Sequence, residues 1–226
     1  MEKSTKLRPN AKDEMAIKNF VLKQKRNRKK LEIKDFGAKS KKLDKHRSID
    51  QIFKISSSFG KNGILLFRIC KHFKPQNILE LGTSIGMGSL YMHLGNPKSR
   101  LISIEGCPET HSIAKENLKN YPIKLINNTF KNTINSFSEE KFDLVFIDGH
   151  HDGEALLEYM DALTKYTHDH TIFVLDDIRW SHSMLESWNK LSAAESFHLS
   201  LDFFKMGVLI RRPQQVKENF ILRFRK

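Results

Sequence analysis

At 226 residues the chain can bury the core of one sizeable domain, and its two cysteines, Cys70 and Cys107, fit neither a zinc cluster nor a Cys-x-x-Cys redox pair. Both read as buried small hydrophobes in a reducing compartment. The opening Met1-Glu2-Lys3 is charged where a secretory signal needs an apolar core, and no apolar run approaches the roughly 20 residues that span a bilayer, so a cytoplasmic chain without a transmembrane segment is expected.

The formal net charge of +13 is concentrated at one end, where residues 1–50 hold 17 Lys and Arg against 7 Asp and Glu. This predicts a basic N-terminal arm over 1–50 and a catalytic domain over 51–226. Within the arm, residues 13–30 predict a helix with Met15, Ile17, Phe20, Val21 and Leu22 as a loose apolar stripe. Such an arm either packs on the domain or meets the phosphates of nucleic acid or of a membrane surface. Residues 35–40 are turn-prone and read as a connector or as a cover for a site.

From Ser48 the pattern becomes regular, with helices expected over 49–57 and 63–73 before the break at Pro75. Short runs rich in Ile, Val, Leu and Phe at 77–81, 101–105, 123–126, 142–147 and 171–175 read as strands buried on both faces. Helical stretches follow them at 86–94, 109–120, 130–137, 152–166 and 181–192. This alternation predicts an α/β fold, a doubly wound, Rossmann-like and mostly parallel sheet with right-handed crossovers. Two β-rich runs at 197–203 and 205–211 have almost no connection and predict a C-terminal antiparallel hairpin. Residues 219–224 suit either a further strand or a docked tail.

After the first buried strand comes Glu80-Leu81-Gly82-Thr83-Ser84-Ile85-Gly86-Met87-Gly88, with glycines at the strand-to-helix turn where open α/β sheets bind ligands. The spacing is neither the Gly-x-Gly-x-x-Gly of dinucleotide folds nor a P-loop, so a nucleoside without phosphates fits better. Glu105 ends the next strand, placed to accept hydrogen bonds from both hydroxyls of an unphosphorylated ribose. Further on, Asp148, Asp176 and Asp177 fall at the carboxyl ends of neighbouring strands. Three converging carboxylates repel unless protonated, paired or bridged, and a hard divalent ion such as magnesium or calcium is one physical solution.

In these residues the chain resembles class I S-adenosylmethionine-dependent methyltransferases over roughly residues 60–212. The resemblance implies that Glu80, Gly82, Thr83, Ser84, Gly86 and Gly88 form the donor-binding turn and that Glu105 holds the ribose. It also implies that Asn128 lies near the adenine and that Asp148 faces the methyl donor. Within that class the chain is similar to the catechol and caffeoyl-coenzyme A O-methyltransferases, where an Asp and an Asp-Asn pair hold a divalent cation. Asp148, Asp176 and Asp177 stand at those positions, with Asp177 in place of the Asn, and His151 stands where that branch has a lysine near the accepting hydroxyl.

The implied function is O-methylation of a small-molecule hydroxyl, with S-adenosylmethionine as cofactor, Asp148 at the reaction centre and His151 as general base. His150 is the alternative base, because adjacent residues in a turn need not face the same way. Arg179, Trp180 and His182 are candidates for the acceptor wall. Two other readings stay open, methylation of RNA guided by the basic arm and a non-enzymatic nucleoside-binding module. Phe197, Phe203, Phe204, Phe220 and Phe224 suit either a homodimer interface or the core.

Overall fold

The computed structural model describes residues 7–33, 46–56 and 58–224, so the turn-prone stretch at 35–40 lies outside the described residues. The first helix, α1, runs Ala11–Arg26 and starts at a capping box, in which Asn10 Oδ1 accepts the Asp13 amide and Asp13 reaches back to the Asn10 amide. Phe20 and Gln24 are its buried residues. Gln24 Nε2 donates to Asn117 Oδ1 at 3.0 Å, and Phe20 joins the main apolar cluster of the domain. The basic side chains of its last turn, Lys23, Lys25 and Arg26, complement the carbonyl end of the helix dipole. A small ribbon follows, with β1 (Lys30–Glu32) antiparallel to β2 (His46–Ser48), and leads into α2 (Ile49–Ser56) and α3 (Lys61–Phe73).

The alternating units then appear in order. They are β3 (Asn77–Leu81), α4 (Met87–Gly95), β4 (Arg100–Glu105), α5 (Pro108–Leu118), β5 (Ile123–Asn127), α6 (Phe130–Ser136), β6 (Leu144–Ile147), α7 (Gly153–Leu163), β7 (Ile172–Leu175) and α8 (His182–Ala193). The chain closes with β8 (Leu199–Asp202), β9 (Gly207–Ile210) and β10 (Glu218–Ile221). The eight-stranded sheet has the order β10-β8-β9-β7-β6-β3-β4-β5. All its neighbours are parallel except those of β9, which runs antiparallel to both β7 and β8. The anticipated hairpin is therefore present, and residues 218–221 form a strand beside β8.

Side chains alternate across the pleat, so Ile78, Phe146 and Val174 enter one apolar cluster while Leu79, Val145 and Phe173 enter the other. A sheet covered on both faces explains why these strands read as continuous apolar runs. From β3 the chain winds outward to β4 and β5, then returns to the opposite side of β3 for β6 and β7. The reversal leaves a crevice beyond the carboxyl ends of β3 and β6, which is where open α/β sheets hold ligands.

Candidate active site

Register brings the site together. Leu81 pairs with Ile104 on one side and with Ile147 on the other, and Ile147 pairs with Leu175. The residues just past those pairs, Gly82, Glu105, Asp148 and Asp176, therefore emerge side by side along one edge. Backbone bonds continue the ladder, from Gly82 N to Ile104 O at 3.0 Å, Asp148 N to Leu81 O at 2.8 Å and Asp176 N to Ile147 O at 2.9 Å. They open into a cavity of about 580 Å³, within the range of small-molecule sites.

At one end of the cavity stand the glycine turn and Glu105. Gly82 has φ +106°, and a Cβ there would collide with the carbonyl oxygen of Asp148. Only glycine satisfies both the backbone and the close approach. Glu105 Oε2 accepts the Ser84 amide at 2.7 Å and Oε1 accepts the Cys107 amide at 2.9 Å. Each oxygen retains a lone pair for a ligand. Burial pushes the Glu105 carboxyl upward, opposed by those amide bonds. Thr129, Phe130 and Asn132, at the start of α6, complete this wall.

The turn residues divide. Gly82 and Ser84 line the cavity, whereas Glu80, Thr83, Gly86, Gly88 and Asn128 are not on its wall. Glu80 projects beneath the first turn of α4, where Ser103 and Ser89 donate to its Oε2, and Gly88 lacks a Cβ because Glu80 occupies that space. Gly86 gives way to the Leu118 side chain. Asn128 is turned to solvent, where its Oδ1 accepts the Thr129 amide.

At the other end the acidic residues converge with the histidines. Ser58 Oγ reaches Asp148 Oδ2 at 3.1 Å and Asp176 Oδ2 at 3.3 Å. Burial, then the charges of Asp176 and Asp177, push the Asp148 carboxyl well above the ordinary carboxylate range. Burial and Asp176 also raise Asp177. His151 Nε2 lies 3.8 Å from Asp177 Oδ2, and its ring rests on Trp180 with centroids 5.6 Å apart. His150 lines the same cavity, but its Nδ1 is 2.6 Å from the Tyr159 hydroxyl, which ties the ring to α7. Arg179 and His182 lie off the cavity wall. The Arg179 guanidinium grips Asp202 through two bonds of 2.8 and 2.6 Å, and His182 pairs with Glu186 on the surface.

Ser84, His150, His151 and Asp177 all have positive φ, four of the six such non-glycine residues among the described residues, and all four line the cavity. Backbone held in a disfavoured region gathers where function requires a fixed direction.

Lys205, from the turn between β8 and β9, was not singled out by any motif. Its Nζ lies 3.3 Å from Asp176 Oδ2 and 3.4 Å from Asp177 Oδ1. No local signal marked it, since it is one lysine among many and reaches the acids only through the antiparallel placement of β9. Its presence bears on the expected metal. The two carboxylates that a hard ion would bridge already share an ammonium, and the group whose donor atoms lie within 4.8 Å of one another, Asp148, His151 and that same Asp177, includes an imidazole nitrogen. A group that brings an imidazole nitrogen and whose carboxylates already carry an ammonium is a poor match for magnesium or calcium, which favour oxygen ligands.

Residues 79–178 match the family model described as a methyltransferase domain. A catechol O-methyltransferase of Niastella koreensis is 28% identical over 132 residues, which cover 55% of this chain and 58% of that protein. The chain thus spans less than two thirds of that curated relative's length. An S-adenosylhomocysteine-bound methyltransferase of Podospora anserina superposes with a TM-score of 0.58 at 19% identity, covering 69% of this chain and 80% of the other. The O-methyltransferase of Bacillus cereus, also solved with S-adenosylhomocysteine, gives 0.59 at 18% identity, covering 69% and 83%.

Proposed function

We propose that this chain, whose residues 79–178 match a methyltransferase-domain model, is a class I S-adenosylmethionine-dependent methyltransferase that methylates a hydroxyl oxygen of a small molecule. The observation that carries the proposal is one cavity with a nucleoside-type end, Gly82, Ser84 and Glu105, and a proton-accepting end, His151 against Asp177 and Trp180. The residues present fit the donor, because the glycine turn admits close backbone approach and Glu105 keeps acceptor capacity for two ribose hydroxyls. Bound there, S-adenosylmethionine supplies an electrophilic methyl group on a sulfonium.

The chain's own part is positioning and proton handling. Glu105 and the Gly82–Ser84 backbone fix the nucleoside, and Trp180 forms an aromatic wall for the acceptor at the mouth. His151 takes the proton of the acceptor hydroxyl, and the Asp177 carboxylate orients its ring and stabilises the imidazolium formed. Asp148 accepts from Ser58 and lines the cavity, its carboxyl raised by burial and by the charges of Asp176 and Asp177.

The test is calorimetric titration of S-adenosylhomocysteine into the wild type and Glu105→Gln. Removing the charged acceptor weakens binding about 10- to 100-fold. Unchanged affinity in a folded variant would overturn the assignment of the donor end. Release of S-adenosylhomocysteine during incubation with a panel of phenolic and catecholic acceptors then tests the reaction itself.

A further inference from the structure

Lys205 is delivered to the acidic cluster by a braced turn. Leu175 at the end of β7 pairs with Gly207 of β9, and the Ile178 amide donates to the Lys205 carbonyl at 3.0 Å. Arg179 holds Asp202 bidentately and donates to the Phe204 carbonyl at 2.8 Å, which fixes the backbone beside Lys205. The ammonium is part-exposed on the cavity wall, while the Asp176 side chain beneath it is almost wholly buried.

Each of the three carboxylates has one oxygen already engaged by Ser58 or Lys205. Asp176 Oδ2 accepts from both Ser58 and Lys205, and its Oδ1 is buried with no partner. Asp177 offers one oxygen to Lys205 and turns the other toward His151. Asp148 Oδ2 accepts from Ser58. An ion seated among Asp148, His151 and Asp177 would share the Asp177 carboxylate with a fixed positive charge, and like charges on one carboxylate repel.

We propose that the Lys205 ammonium is the resident cation of this cluster, holding the place against Asp176 and Asp177 that a hard divalent ion would need and so closing the site to magnesium and calcium. Positive charge at the acceptor end is then supplied by the chain itself and needs no ion from solution. This inference goes beyond the proposed reaction, and its test reads no turnover, so either can fail without the other.

The experiment measures manganese binding, as a paramagnetic stand-in for magnesium, by the electron paramagnetic resonance signal of the free ion over the full-length wild type, Lys205→Arg and Lys205→Met. S-adenosylhomocysteine binding and thermal melting report folding. The wild type and Lys205→Arg show no site tighter than about 1 mM, and Lys205→Met gains one site tightened by about tenfold or more. A one-equivalent site in the wild type, or a folded Lys205→Met that gains none, overturns the proposal. Should Lys205→Met fail to fold, the wild-type titration decides alone, an equivalent bound more tightly than about 1 mM overturning the proposal and its absence supporting it.

Discussion

Single side chains at the cavity make separable contributions. His151→Ala removes the proposed base and leaves the nucleoside end untouched, so turnover falls about 10²- to 10⁴-fold while S-adenosylhomocysteine binding holds. Equal loss of binding and turnover would instead mark His151 as structural. Glu80 behaves differently, because it lies off the cavity wall and 1% exposed. Burial, opposed by hydrogen bonds from Ser103 and Ser89, raises its carboxyl from the ordinary 4.5 to about 7. A carboxyl raised on folding stabilises the native state most below its unfolded value, and that stability is lost as pH rises through the folded one. Urea unfolding between pH 4.5 and pH 7.5 therefore shows a decline that is about 3 kcal/mol larger in the wild type than in Glu80→Gln. An identical pH slope in both proteins would rule Glu80 out as its source.

At the level of elements, the Arg179–Asp202 pair joins the segment after β7 to the end of β8, and the Phe204 amide donates to the same carboxylate at 2.7 Å. Arg179→Met leaves the buried Asp202 carboxylate without its guanidinium and lowers stability by about 2 kcal/mol in chemical denaturation. A loss within a few tenths of that for an exposed surface pair would show the turn is held by other contacts. The five parallel strands were legible because strands buried on both faces leave uninterrupted apolar runs, and most of their helices because they carry an apolar stripe, α4 being buried at every position. Gly82 and Glu105 were legible because a turn at a strand end leaves a local signature. Lys205 left none, since its meeting with Asp176 spans 29 residues and depends on β9 entering between β7 and β8. Neither did Ser58, which reaches Asp148 from the segment before α3 across 90 positions. The sequence likewise offered Arg179 as an acceptor contact because it follows the acidic pair, and only the course of the hairpin shows where its guanidinium goes.

Over the whole molecule, the basic N-terminal residues have two aspects. Most of the lysine and arginine side chains of α1 face solvent, yet Phe20 and Leu31 are buried in the same apolar cluster as α3 and α4. Phe20→Ala consequently lowers global stability by about 3 kcal/mol in urea unfolding. A change below about 0.5 kcal/mol would show that the helix contributes little beyond its own fold. No described helix is long and apolar enough to cross a membrane. The placement of β9 also has a consequence for biosynthesis. Asp148, Asp176 and Asp177 are translated before Lys205, so on the ribosome the cluster gathers its negative charges first and waits for its counter-ion. Until the β8–β9 hairpin emerges, β7 is an open edge and the carboxylates beyond it lack their ammonium, which leaves the nascent chain exposed to misassociation over that interval.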